Sequence, residues 1–164
     1  MLTDAQRDAM LALLRQQPVA ALATLRNGEP QVSMVPFSVL PASGLLVVHV
    51  SALALHTKNM QRAPRVSLMV MAPPTPGVAP QALPRVTLQC RAERCPPDHA
   101  LYAAARQVHV ARFPQAEPLF TFADFSLFLM APRQARLVPG FGQATSLVQP
   151  ALGALLSACG ATAA

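Results

Sequence analysis
The chain has no tryptophan, one tyrosine (Tyr102) and one lysine (Lys58) among its 164 residues, and charged residues make up only 12% of it. Each scarcity excludes something. Nucleic-acid surfaces combine basic runs with stacking aromatics, and here the arginines fall singly along the chain, so no nucleic-acid partner is expected. Three cysteines, Cys90, Cys95 and Cys159, stand at no metal-ligand spacing. Their odd number argues for free thiols in a reducing cytoplasm and against a disulfide framework or a metal site. The opening Met1-Leu2-Thr3-Asp4 is acidic and then amphipathic, unlike a secretory signal. No apolar run is long enough to span a bilayer, so no membrane partner is expected. Nor does any nucleophile, base and orienter stand out as a set, so triad hydrolysis has no support and no catalytic residue is assigned.

What is present is apolar surface and arginine. Apolar residues reach 52%, enough for one domain with a sizeable core. So little charge implies further buried surface, most simply in a homo-oligomer. Of the 13 basic residues only Lys58 is not arginine, and the formal charge of +6 suits an anionic ligand.

Thr3-Asp4-Ala5-Gln6 has capping-box spacing, and Met10, Leu11, Leu13 and Leu14 continue at helical period up to Pro18. Val19 to Arg26 reads as a strand, Asn27-Gly28 as a tight hairpin turn, and Gln31 to Leu40 as the returning strand. Pro41 to Gly44 turns into the strand Leu45 to Val50, a helix around Lys58 follows, and Arg65 to Met71 is again a strand. Ala72 to Pro84 is a proline-rich rim or lid. Pro84 to Arg94 alternates as a strand, Asp98 to Phe113 as a helix, and Gln115 to Thr121 as a short helix. Phe125 to Met130 and Gln134 to Val138 form two closing strands broken by Pro132. The fold expected is mainly β (α+β): a six- to seven-stranded antiparallel barrel with peripheral helices over residues 1–147. Residues 148–164 are expected to be an Ala/Gly-rich flexible tail.

The richest segment is Ser51 to Met60. A strand ending in a hydroxyl runs into a helix start carrying His56, Thr57 and Lys58, a plausible phosphate site through helix N–H groups, the dipole and a compact cation. Among the other histidines, His49 lies inside an apolar strand as a core or interface residue, while His99 and His109 are expected to face solvent. Met69 and Met71 are expected in the core, and Cys90 as a small strand hydrophobe.

Four segments together resemble a known family: Pro30 to Phe37 (PQVSMVPF), Ser51 to Asn59 (SALALHTKN), Val86 to Glu93 (VTLQCRAE) and Arg136 to Gly142 (RLVPGFG). They resemble the FMN-binding split barrel of pyridoxamine 5'-phosphate oxidase-like proteins, nearest the haem-utilisation branch, and span most of Val19 to Ala144. The resemblance implies a homodimer with FMN at the interface and an FMN-dependent oxidoreductase acting on an unknown small molecule. It places Ser33, Met34, Val35 and Pro36 against the flavin ring, partly through backbone groups. Ser51, His56, Thr57 and Lys58 would hold the phosphate, and Arg85 or Gln89 would reach the flavin from a later strand. Three positions depart from the family pattern, which often has an acid at Ala52 and glycines at Cys90 and Pro139. The alternatives are a haem-binding or haem-degrading relative, or a non-catalytic flavin-binding module. Because the sequence stops at Ala164, short of the extra C-terminal domain of longer haem-utilising relatives, flavin is expected before haem.

Overall fold
Thr3 opens α1 (Asp4–Gln16) as its sequence requires. Its hydroxyl accepts from the Gln6 N–H at 3.2 Å, while its own N–H donates to the Gln6 side chain at 3.1 Å. The other end of α1 is closed from a distance. The Arg112 guanidinium donates to the carbonyls of Leu14, Arg15 and Gln17 and lies 4.8 Å from the Phe37 ring centroid, which satisfies acceptors that a helix end leaves open. The computed structural model describes residues 2–160.

After α1 come β1 (Val19–Arg26), β2 (Glu29–Pro36), β3 (Ser38–Leu40), β4 (Leu45–Ser51), α2 (Leu55–Arg62), β5 (Arg65–Met71), β6 (Arg85–Cys95), α3 (Tyr102–Arg112), β7 (Phe125–Gly140), β8 (Gln143–Val148) and α4 (Ala151–Ser157). Asn27 and Gly28 both take positive φ, 52° and 84°, the two-residue turn whose twist matches its flanking strands. The described residues hold eight strands, more than the six or seven expected, in one sheet ordered β2-β1-β5-β6-β7-β4-β3 with β8 on β7. Every pairing is antiparallel. The architecture is the expected α+β split barrel.

Alternation fixes which side chains meet in the middle. Ala20, Leu22, Leu68, Val86, Leu88 and Leu137 point inward, each at most 1% exposed, and join Met10 and Leu14 of α1 in one core. β4 reads as an unbroken apolar run because both of its faces are covered. Leu46 and Val48 join the main core, while Val47 packs with Leu127, Leu129 and Ala105 beneath α3. Under α3 also lies His109, only 2% exposed and 3.1 Å from Ser38 Oγ through Nδ1. The expected solvent-facing histidine is therefore a buried one, because α3 turns that side chain towards β3 and β4. Met69 and Met71 err the other way. They are 37% and 40% exposed, since the core positions of β5 are the even-numbered ones.

Two further expectations change. Pro132 does not break a strand. β7 runs sixteen residues, and the register against β6 shifts between Gln89 and Cys90, which face Gln134 and Pro132. Proline cannot donate to the ladder, so the strand bulges there and Arg133 becomes the extra residue. Residues 148–160 do not trail from the fold, because Leu152, Leu155 and Leu156 of α4 and the following Cys159 are buried in the main core. Residues 161–164 of the expected tail lie outside the described residues. The loop 72–84 is pinched at its base, where the Ala72 N–H donates to the Pro84 carbonyl at 2.9 Å.

Candidate functional site
The groups singled out by the sequence at the β4–α2 turn are largely occupied with one another. The Ser51 hydroxyl donates to Asp124 Oδ2 at 2.6 Å and accepts the Leu53 N–H at 3.1 Å. Ala52 contributes its N–H, which donates to the Asp124 carbonyl at 2.6 Å. The Thr57 hydroxyl, 1% exposed, donates to the Ser51 carbonyl at 2.7 Å. Both hydroxyl protons that a phosphate would recruit are thus committed, and the Asp124 carboxylate stands at the same turn, where it repels a dianion. What stays open is the helix start. Ala54, at the N-cap, supplies no side-chain acceptor, and the exposed Lys58 side chain makes no hydrogen bond or ion pair among the described residues. Among the residues expected at the site, two buried atoms also lack partners, Ser33 Oγ and His56 Nε2. Burial lowers the His56 pKa below its ordinary value, which favours the neutral, metal-competent imidazole.

The remaining expected residues do not share one face. Ser33 and Val35 stand opposite Leu22 and Ala20 on the inner side of β2, with Val35 in the core. Met34 and Pro36 stand opposite Ala21 and Val19 on the outer side, Met34 being 63% exposed. The Arg85 guanidinium donates to the carbonyls of Gln81 and Leu83 and so anchors the loop. Gln89 is exposed on the outer face, in the cross-strand row Val32, Ala23, Ser67, Gln89, Gln134.

That row borders a cavity of about 370 Å³ with mostly apolar walls, among them Ala23, Leu25, Pro30 and Val66. Arg65 and Arg133 both line it. Both are exposed, and neither makes a hydrogen bond or ion pair among the described residues. Thr24, also in the wall, accepts from Asn59 Nδ2 of α2 at 3.0 Å, which fastens the helix to this site. Cys90 lines the cavity as well, but burial pushes its thiol up to about 12. It therefore stays protonated and is neither a reactive thiolate nor a thiolate ligand. A flat apolar molecule carrying carboxylates matches this surface, because arginine pairs with carboxylate in a bidentate fork. Outward-pointing Val32, Met34, Met69 and Met71 continue the apolar face, a surface of the kind that a partner covers.

Arg65, Arg133 and Asp124 were not visible as site residues in the sequence. Arg133 had a signal: a proline inside a strand marks a bulge, and bulges re-aim the neighbouring side chain beside sites. Asp124 had none, since its partner Ser51 lies 73 positions away.

A family model described as pyridoxamine 5'-phosphate oxidase matches residues 6–138. The heme oxygenase HutZ of Vibrio cholerae is 32% identical over 132 residues, which are 79% of this chain and 74% of that protein. The structure of a heme-binding protein from Mycobacterium smegmatis superposes with a TM-score of 0.81 and 30% identity. The match covers 96% of this chain, which spans 62% of the length of the mycobacterial protein. A FAD-binding protein from Mesorhizobium loti shares the fold at TM-score 0.61 and 17% identity, over 82% of this chain and 92% of that one.

Proposed function
The chain belongs to the pyridoxamine 5'-phosphate oxidase family, close to its haem-utilisation branch, and we propose that it is a haem-binding member. The observation that carries this reading is the contrast in available donors. The hydroxyl protons of Ser51 and Thr57 are spent inside the protein, whereas Arg65 and Arg133 line an apolar cavity with their charges unpaired. Haem is flat, apolar and carries two carboxylates but no phosphate, so it suits the second place and not the first. Two similar proteins support the reading: the Vibrio cholerae relative is named a heme oxygenase and the Mycobacterium smegmatis one a heme-binding protein.

No histidine lines the Arg65–Arg133 cavity. The residue that would help to hold haem, through its imidazole, is His56, whose Nε2 has no partner. It sits one turn before Asn59 on the same face of α2, and Asn59 bonds the cavity wall. A second copy of the chain would cover the exposed apolar face, making the site a homodimer interface.

A second reading keeps FMN, and one observation favours it: α2 begins without a side-chain cap, with Lys58 free beside it. Flavin would then supply redox chemistry while the uncapped N–H groups and Lys58 hold its phosphate. Titration with hemin tests the first reading. A Soret band that saturates near one haem per subunit and moves in His56→Ala supports it. Free-hemin absorbance throughout the titration would sink it.

A further inference from the structure
On the other side of the β4–β7 pair, beneath α3 and the turn 121–126, lies a second cavity that shares no residue with the Arg65–Arg133 site. We propose that it is a binding site for a small aromatic carboxylate, its ring held among phenylalanines, its carboxylate on Arg94 and its far edge on the His49 imidazole.

The cavity measures about 240 Å³. An apolar cavity of roughly 150 Å³ already takes benzene, so one ring with substituents fits, while a porphyrin or a flavin does not. Phe120, Phe122 and Phe125 line it beside the polar groups of Arg94, Thr121 and Ser126. His49 is 9% exposed and stacks on Phe120 with ring centroids 3.8 Å apart and planes 8° from parallel. Phe125 lies 5.2 Å from the same ring. These rings pack on one another and hold the His49 imidazole in place at the cavity edge.

The polar groups say what else the guest carries. His49 Nδ1 is buried and has no partner, although buried polar nitrogens nearly always find one. The neighbouring His109, its ring centroid 6.1 Å away, is satisfied by Ser38. Of two adjoining imidazoles, then, one is completed by the protein and the other is left short, and the one left short lines the cavity. Arg94 is the only charged side chain in the lining, and no carboxylate accompanies it. Its Nη2 donates to Ser126 Oγ at 3.2 Å, which fixes the guanidinium on the cavity wall and leaves its other donors for a ligand. The Tyr102 phenol also lines the cavity without a hydrogen bond among the described residues. Burial draws the His49 pKa down to about 4, so near neutral pH the ring offers a hydrogen bond and not a second charge. One cation, one neutral imidazole and one phenol around a cavity of this size fit a monoanion that also carries a hydroxyl.

The test uses 4-hydroxybenzoate as probe on the full chain, followed by NMR of the histidine and phenylalanine rings. The expected result is saturable binding that shifts His49 and Phe120. Affinity should fall about tenfold or more in Arg94→Gln, the scale of a charge-assisted contact, and similarly for benzyl alcohol, which lacks the carboxylate. Arg94 and Phe122 are both exposed, so Arg94→Gln and Phe122→Ala are expected to fold. Hemin titration of Arg94→Gln, expected to match the parent chain, keeps this site separate from the proposed haem site. Absence of saturable binding would overturn the proposal. So would equal affinity in the parent chain and Arg94→Gln, or shifts confined to the Arg65–Arg133 cavity.

Discussion

The β4–α2 turn and the outer face of β1, β5, β6 and β7 both carry polar groups, yet they differ in what those groups are free to do. At the turn, Ser51, Thr57, Leu53 and Asp124 bond one another. On the outer face, the guanidinium groups of Arg65 and Arg133 bond nothing among the described residues. A hydroxyl whose proton is already donated cannot also bind a phosphate, whereas an unpaired guanidinium beside apolar walls binds a carboxylate without first breaking anything. Residue type alone does not distinguish the two situations. Pairing does.

The contrast can be tested from both sides. The largest effect should come from replacing Arg65 and Arg133 together with alanine. Each charge-assisted contact contributes about 1.5–3 kcal/mol, so hemin affinity should drop by two orders of magnitude or more in an absorbance titration. An unchanged Kd would move the site elsewhere. Next comes Asp124→Ala, which frees the Ser51 hydroxyl and removes the acid. FMN retention, measured by fluorescence after desalting, should improve by about 1 kcal/mol or more. If it does not, the closed turn is not what keeps phosphate out.

Acidification separates the arginine face from the covered end of the barrel. His49 and His109 have pKa values lowered to about 4, chiefly by burial, with the neighbouring His49 and Arg112 also disfavouring charge on His109. The unfolded chain titrates them near 6.5, so between pH 6.5 and 4 it binds more protons than the folded one. Stability is therefore full above about 6.5 and falls as pH drops towards 4, by up to about 1.4 kcal/mol per pH unit for each ring. Denaturant midpoints across this window should show the slope, and His49→Phe should reduce it. The smallest effect belongs to Lys58→Ala. It lies off the Arg65–Arg133 cavity, so hemin affinity should change by less than about 0.5 kcal/mol, while any residual FMN binding weakens by about 1–3 kcal/mol.

The fold was largely legible, because local signals and tertiary structure agree. The Thr3 capping box, the Asn27-Gly28 turn and the alternation of β5 and β6 each act within a few residues. The errors share a cause. Met69, Met71 and His109 were assigned by residue type, but strand parity and the position of α3 decide which of them is covered. The sequence past Gly142 looked featureless because alanine-rich, short elements carry little periodicity, yet α4 buries three leucines. Within the site, the residue types at Ser51, Thr57 and Lys58 suggested a phosphate site, but residue type does not show which of their donors are free. That Asp124 would claim the Ser51 proton could not be read from positions so far apart. The preference for flavin rested partly on where the sequence stops, and the similarity to the Vibrio cholerae and Mycobacterium smegmatis proteins now weighs towards haem.

The most direct measurement adds equimolar hemin and FMN to the purified protein, separates it by gel filtration and records the absorbance of the protein peak. A haem site on the arginine face predicts a retained Soret band at about one haem per subunit, with flavin bands left in the small-molecule fraction. Flavin bands travelling with the protein, and hemin left behind, would contradict it and return the β4–α2 turn to the centre of the function.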